Sequence, residues 1–375
     1  MRTSERTTAR AAFRTAVDGE IVPCAADFDR DQRIPDAFLR RMGELGWWGA
    51  VLPVEVGGAG LDMATLGVLH EEVGRGCSSV RSLLTVHTMV SYAIAKWGSA
   101  AQRERWLAPL ARGEITASFC LTEDEGGSDA SGITTTAVRD AGDFVLTGGK
   151  RWITGGQIAG LLLVFARTER GVSAFLVEPS HPDVRVRPVS GALGTRASML
   201  AEIDFDHCRL GPDALLGPEG FAMATVVTGV LDIGRYSVAC GCVGMLQACL
   251  EASAAFTAKR GGPAGLLRDH QLIRQMLTQM VTDVRAARLL CEQAGELKDR
   301  GDPQTIMATW VAKYFASTAA ARAASDAVQI HGAAGCAEDS PAARIYRDAK
   351  VMEIIEGSTQ IQQIMIAEEA FRWTS

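Results

Sequence analysis

The spacing of apolar residues changes twice along this chain, and the order of those changes limits the folds that it can adopt. Residues 1–115 show the three- and four-residue spacing of amphipathic helices. Residues 116–217 show short β-branched and aromatic runs between glycine-rich turns, as strands do. Helical spacing returns over residues 218–375. This order of helices, strands and helices excludes a doubly wound α/β fold, in which helices and strands would alternate along the chain. The sequence therefore predicts three domains, mainly α, with a β domain in the middle.

Two hairpins are predicted inside the β domain. Residues 144–146 and 151–153 flank Gly148-Gly149 and predict strand, turn and strand. Residues 161–166 and 172–177 predict a second hairpin with Arg170-Gly171 at its tip.

Charge and cysteine content exclude several classes of protein. The net charge of −6 gives no overall positive field to attract nucleic acid or an anionic membrane. No run approaches the roughly 18 apolar residues of a membrane span. The nine cysteines include no Cys-x-x-Cys pair and predict reduced thiols, without disulfides or a metal site, in a cytoplasmic protein. Arg2, Arg6, Arg10 and Arg14 resemble a transit peptide, but helical spacing near them favours the basic face of a first helix.

Glu356 is the most site-like residue, in the stretch Ile354-Ile355-Glu356-Gly357-Ser358-Thr359-Gln360. Apolar residues precede this carboxylate and a glycine follows it, so it can lie desolvated beside a backbone that a ligand approaches closely. An acidic residue stabilised by the dipole of the next helix would show the same pattern.

Four other stretches each have a site-like and an ordinary interpretation. Residues 120–129 end in Gly126-Gly127-Ser128-Asp129, which is either a loop whose amides face an anion or an acidic turn. Trp152 and Thr154 would share one face of a strand, where they contact a planar cofactor or form a strand edge. Asp232 and Arg235 are spaced for a pair on a helix surface. Residues 329–335 end a helix with small residues, as a plain C-cap also would.

Taken in order, these five stretches resemble the acyl-CoA dehydrogenase family over residues 10–372. The resemblance implies an α-helical N-terminal domain, a β-barrel-like middle domain and a C-terminal four-helix bundle. It also implies an FAD-dependent oxidoreductase that forms a dimer or tetramer, in which each flavin is reached by a neighbouring subunit. An electron-transfer flavoprotein is an expected partner.

The resemblance implies contacts with FAD and with the acyl thioester. Leu121, Thr122 and Ser128 match the loop beside the flavin, and Trp152, Ile153 and Thr154 match the strand against its ring. Further residues that match FAD contacts, several of them with a neighbouring subunit's FAD, are Arg260, Gln271, Gln329, Gly332, Ala333, Ser358 and Gln360. The residues expected at the substrate are Ser128, Asp232, Arg235 and Gly357.

Glu356 matches the family's catalytic base. Some members carry the base just before the Arg of the long helix, but this chain has Gly234 there, which cannot take a proton. The implied reaction is α,β-dehydrogenation, in which Glu356 removes the α-proton and flavin N5 accepts the β-hydride. The Glu356 amide and a ribityl hydroxyl would stabilise the thioester oxygen as charge develops on it.

Three features keep alternatives open. Residues 77–82 and 347–356 resemble a bacterial branch that oxidises a hydroxyacyl or aminoacyl group on an acyl carrier protein during polyketide extender-unit biosynthesis. The segment Arg260-Gly261-Gly262-Pro263-Ala264 lacks the usual Phe and Gly of the FAD-tail helix, and the flavin loop has gained Asp124 and Glu125. A non-catalytic, partner-binding relative is therefore the alternative from another class.

Overall fold

The computed structural model of the protein describes residues 3–127, 132–263 and 265–372. Six helices come first: α1 (Thr3–Glu20), α2 (Ala25–Asp31), α3 (Asp36–Glu44), α4 (Met63–Gly76), α5 (Ser78–Trp97) and α6 (Ala100–Arg112). Asp62 begins α4 by accepting a hydrogen bond from the Thr65 amide at 2.8 Å, and Ser99 with Gln102 forms a capping box at α6. Helices α4 and α5 are buried along most of their length because both pack against the C-terminal helices.

A sheet of eight strands follows. Its strands are β1 (Ala117–Cys120), β2 (Thr136–Asp140), β3 (Asp143–Ile153), β4 (Leu161–Thr168), β5 (Gly171–Val177), β6 (Val184–Pro188), β7 (Ala201–Leu210) and β8 (Leu215–Leu216). The strand order is β6-β7-β3-β2-β4-β5-β8, and β1 pairs with β4 in parallel. The predicted second hairpin is confirmed, since β4 and β5 are antiparallel with Leu162 opposite Val177.

The predicted turn at Gly148-Gly149 is wrong. Both glycines lie inside the single strand β3, where Gly148 is opposite Phe205 of β7. Gly148 has a φ of +141° at a shift in register, so it permits a bulge that bends the strand. A Cβ on Gly148 would lie 2.8 Å from the Cα of Thr135, so the neighbouring backbone also requires glycine.

The C-terminal region is helical again. It contains α7 (Thr228–Lys259), α8 (Gln271–Asp299), α9 (Thr305–His331), α10 (Pro341–Met352) and α11 (Thr359–Arg372), with a short pair β9 (Gly261–Gly262) and β10 (Gly265–Leu266) after α7. The predicted fold class, mainly α with a sheet domain in the middle, is confirmed. The domain limits at residues 115 and 217 remain predictions.

Helix α7 is the central helix of this region. Together with a π-helical turn, Met223–Val227, it forms the one described helix that is long and apolar enough for a membrane span. In its most apolar window, 61% is buried inside the protein. Helices α4, α5, α8 and α9 all pack against it, so its apolar character is that of a core helix.

Glycines allow α7 to approach α4 and α5 closely. A Cβ on Gly244 would lie 2.0 Å from the carbonyl oxygen of Glu71 in α4. A Cβ on Gly241 would lie 2.6 Å from the Cδ of Arg81 in α5. This crossing brings polar side chains of α5 against α7, next to the candidate site.

Helix α10 joins the three regions just before Glu356. The Arg347 guanidinium pairs with Asp29 of α2, and the carboxylate of buried Asp348 accepts a hydrogen bond from the Thr195 amide at 2.6 Å. Burial raises the pKa of Asp348 to about 6. The end of α10 is therefore fixed against both the N-terminal helices and the sheet domain.

Candidate active site

The turn between α10 and α11 carries Glu356 in an uncommon backbone conformation. Glu356 has a φ of +56° and Gly357 a φ of +94°, so two successive residues lie in the left-handed region. A non-glycine residue there costs on the order of 1 kcal/mol or more and persists only when its surroundings hold it.

Side chains from α7, α9 and α11 hold this turn through its carbonyl groups. Arg235 Nε donates to the Glu356 carbonyl at 3.1 Å. Lys313 Nζ and Gln362 Nε2 both donate to the Gly357 carbonyl, at 2.8 and 2.9 Å. The turn is thus fixed from three helices.

The Glu356 carboxylate is directed at α7, where Gly234 leaves room for it. A Cβ on Gly234 would lie 2.4 Å from Oε2 of Glu356. That oxygen is buried, and no described residue forms a hydrogen bond with it. Desolvation raises the pKa of Glu356, while the charges of Arg235, Lys313 and Arg81 oppose the rise. The desolvated surroundings proposed from the sequence are present.

Asp232 and Arg235 do not pair with each other, although their spacing allows it. The Arg235 guanidinium stacks on the Trp310 ring of α9 at 4.1 Å. Asp232 forms an ion pair with Lys298 of α8. Tertiary partners on neighbouring helices therefore replace the local helix-surface pair.

A buried polar cluster of α5 lies near Glu356. Arg81 is 1% exposed and donates to Ser82 Oγ at 2.8 Å and to Thr85 Oγ1 at 3.0 Å. Its Nε has no hydrogen-bond partner, and within the described ranges Arg81 forms no ion pair. A third contact of the guanidinium is the sulfur of Met352, at 3.3 Å.

The loop after β1 is anchored by a buried ion pair. Lys150 Nζ donates to Glu123 Oε1 at 2.6 Å and to the Leu121 carbonyl at 3.3 Å. Hydrogen bonds from Lys150, Thr134 and Thr135 outweigh the burial of Glu123 and lower its pKa to about 2. The Thr122 carbonyl accepts from the Arg151 amide at 2.9 Å, so the loop is bound to β3. Ser128 lies outside the described residues.

The end of β3 departs from the regular strand that was predicted. Trp152 has a φ of +58° at a shift in register, and Thr154 follows the last residue of the strand, Ile153. Strand alternation therefore does not place Trp152 and Thr154 on a common face. The Trp152 side chain is nonetheless 61% exposed, which leaves a large apolar ring available to a ligand.

Five predicted cofactor residues are exposed at helix ends: Arg260, Gln271, Gln329, Gly332 and Ala333. The Phe256 and His331 rings lie 4.4 Å apart and bring the ends of α7 and α9 together. Ser358 and Gln360 lie elsewhere, at the start of α11, where Ser358 Oγ accepts from the Ile361 amide at 3.4 Å.

Sequence reasoning did not identify Lys313 or Gln362, and it noted Arg81 only as part of residues 77–82, without a role of its own. Arg81 and Lys313 are fully buried cations in otherwise apolar or small-residue helices, and such a lone charge is the signal that could have identified them. Gln362 shows no such signal because it is one of three glutamines among four consecutive residues, 360–363.

Sequence models of the acyl-CoA dehydrogenase N-terminal, middle and C-terminal domains match residues 3–114, 118–208 and 220–371. The short-chain specific acyl-CoA dehydrogenase of Mus musculus is 36% identical over 369 residues, covering 97% of this chain and 89% of that protein.

Two solved structures are similar over nearly the whole chain. A glutaryl-coenzyme A dehydrogenase in complex with glutaryl-CoA has a TM-score of 0.95 and 33% identity, covering 99% of this chain and 96% of that one. FkbI, from the biosynthesis of a methoxymalonyl extender unit, has a TM-score of 0.88 and 34% identity, covering 97% and 99%. The chain therefore belongs to the acyl-CoA dehydrogenase family of FAD-dependent oxidoreductases.

Proposed function

We propose that this protein dehydrogenates the acyl group of an acyl thioester between its α and β carbons, with Glu356 as the base. The observation that carries the proposal is the Glu356 carboxylate, which has one oxygen buried without a hydrogen-bond partner among the described residues. Such an oxygen is free to accept a proton from a bound substrate. Desolvation raises the pKa of Glu356, which makes it a stronger base than an exposed carboxylate.

The backbone of the same turn meets a second requirement of the reaction. No described residue accepts a hydrogen bond from the Glu356 amide, while the carbonyls of Glu356 and Gly357 are held by side chains. An amide that is fixed in direction can donate to the thioester oxygen as negative charge develops on it. Gly357 lets the substrate approach this backbone closely.

The residues present fit a flavin. The exposed Trp152 ring lies on β3. Neighbouring residues of the same strand form hydrogen bonds with the loop of Leu121 and Thr122, so an apolar ring lies beside a rigid polar loop. We infer that these residues hold the ring together with Ile153, Thr154, Ser358 and Gln360, and with Ser128 on the family pattern. FAD, when bound, supplies the acceptor for the β-hydride.

We also infer a homo-oligomer in the cytoplasm. Arg260, Gln271, Gln329, Gly332 and Ala333 are exposed in one copy, which suits contacts with the nucleotide end of FAD in another. An electron-transfer flavoprotein is our proposed electron acceptor.

The experiment that tests the function is an anaerobic titration of the purified FAD-bound protein with short acyl-CoA thioesters. Bleaching of the flavin absorbance is expected, because the α-proton and the β-hydride leave the substrate together. Protein that holds FAD but is bleached by no acyl thioester would contradict the proposal and favour the non-catalytic alternative.

A second candidate is oxidation of a hydroxyacyl or aminoacyl group on an acyl carrier protein, and Arg81 favours it. Gly234 lies against Glu356 and Gly241 against Arg81, and these glycines are two turns apart on one face of α7. A buried guanidinium without an ion pair is costly, and a hydroxyl or carboxylate oxygen at the acyl end would give it an acceptor. Glutaryl-CoA has a polar acyl end, and FkbI serves a methoxymalonyl unit.

Replacing Arg81 separates the two candidates. For a three-carbon hydroxyacyl carrier protein, Arg81→Met is expected to raise the substrate concentration at half-bleaching about 10- to 100-fold, since hydrogen bonds to charged groups contribute about 1.5–3 kcal/mol. The effect with butyryl-CoA should be much smaller. Equal effects on both thioesters would contradict recognition of a polar acyl end by Arg81.

A further inference from the structure

The two carbonyl groups of the Glu356 turn have three side-chain donors, which we call the carbonyl clamp: Arg235, Lys313 and Gln362. Lys313 differs from the other two. It is a lysine of α9 with no exposed surface, and within the described residues it forms no ion pair. Its one hydrogen bond to a described residue is with the Gly357 carbonyl, at 2.8 Å.

Burying an unpaired ammonium is costly, so an apolar residue would stabilise the bundle at least as well. The titratable groups that face Lys313 are Cys242 and Arg235 of α7 and Glu353 and Glu356 of the turn. Burial raises the pKa of Cys242 to about 12, so its thiol is neutral. Burial lowers the pKa of Lys313 to about 8, so the side chain is mainly protonated near neutral pH. A positive charge is thus maintained beside Glu356.

We infer that Lys313 is a positioning residue for the base: it fixes the Gly357 carbonyl, and its charge keeps the neighbouring Glu356 carboxylate ionised. The inference rests on the proposed role of Glu356. Holding the Gly357 carbonyl fixes the peptide between Gly357 and Ser358, which limits movement of the turn that carries the Glu356 carboxylate and amide. The charge stabilises the ionised form of Glu356, the form that can accept a proton.

Gln362 offers a matched comparison inside the same clamp. It is fully buried and donates to the same carbonyl oxygen at 2.9 Å, but it is neutral. No described residue forms a hydrogen bond with its Oε1, so an apolar replacement removes an unsatisfied acceptor. Lys313→Met and Gln362→Met therefore remove the same kind of hydrogen bond, and only the first removes a charge.

The test is the pH dependence of anaerobic flavin reduction in both variants. Each is expected to slow reduction on the order of ten-fold, because a displaced base reacts less often. Only Lys313→Met should move the acidic limb of the pH–rate profile to higher pH, by about one pH unit. Lys313→Arg, which keeps the charge, should return the acidic limb to the pH at which the unaltered protein shows it. Lys350→Met, which removes an exposed lysine of α10, serves as the control for charge loss elsewhere.

A second measurement does not depend on turnover. The carboxyl stretch of Glu356 can be followed by infrared difference spectroscopy against Glu356→Gln while the pH is varied. The protonated form should appear at higher pH in Lys313→Met than in Gln362→Met or in the unaltered protein. A titration that Lys313→Met leaves unchanged, or that both variants shift equally, would overturn the inference whether or not the protein oxidises acyl thioesters.

Discussion

Glu356→Gln is expected to bind FAD as the unaltered protein does and to abolish bleaching of the flavin by substrate. The amide is nearly the same size as the carboxylate, so the turn and its contacts with Arg235, Lys313 and Gln362 should persist. An amide cannot accept the α-proton, and a positioned general base contributes about 10²- to 10⁴-fold to such a step. The loss should therefore be at least about 10²-fold.

The measurement is the rate of anaerobic flavin reduction at saturating thioester. The flavin content and the binding of a non-reducible thioester analogue should be recorded in parallel, because both should be retained. Glu338→Gln is a suitable control, since Glu338 lies just before α10 and its side chain is exposed. Bleaching by Glu356→Gln at the normal rate would place the base on another residue.

The pH dependence of flavin reduction in the unaltered protein should report the protonation of Glu356. Desolvation raises the pKa of Glu356, so the ionised base is lost at a higher pH than for an exposed glutamate. Flavin reduction should therefore fall as the pH is lowered through the Glu356 titration, and the fall should be absent from any residual rate in Glu356→Gln.

The order of helices and strands could be predicted because the spacing of apolar residues is a local property of the sequence. The long helices bury a continuous face, and the strands of β4 and β5 are apolar on both faces. Glu356 could be identified for the same reason, since its apolar neighbours and Gly357 are adjacent in the chain.

The features that could not be predicted depend on distant partners. A glycine pair permits a turn or a bulge, and only the pairing of β3 with β7 selects the bulge at Gly148. The spacing of Asp232 and Arg235 permits a local pair, but Lys298 and Trp310 lie closer to them across the bundle. Neither outcome is visible in a single stretch of sequence.

The polar surroundings of Glu356 are the clearest case. Arg81, Lys313 and Gln362 come from α5, α9 and α11, which are brought together only by packing around α7. In the sequence, Arg81 stands out as a lone charge among small and apolar residues, but nothing there shows which groups would surround it. The close approach at Gly241 is what buries it.

Gly234→Ala is the second change from which we expect a large effect, because one methyl group would occupy the space of the base. The added Cβ would lie 2.4 Å from Oε2 and 2.6 Å from Cδ of Glu356, well inside van der Waals contact. The carboxylate is the end of a flexible side chain and can move aside, so the fold should tolerate the change. A base displaced by about 1 Å can cost on the order of 100-fold in rate.

The free energy of unfolding of Gly234→Ala should increase or stay unchanged, although its activity falls. Alanine is favoured over glycine inside a helix such as α7 by about 1 kcal/mol, which offsets the cost of displacing the Glu356 side chain. Gly19→Ala is the matched control, since Gly19 is exposed near the end of α1 and a Cβ there meets no atom within 4 Å. Thermal unfolding and flavin reduction should be measured on both variants. Full activity in Gly234→Ala would show that the reaction does not need the Glu356 carboxylate against α7, and Glu356 would lose its assignment as the base.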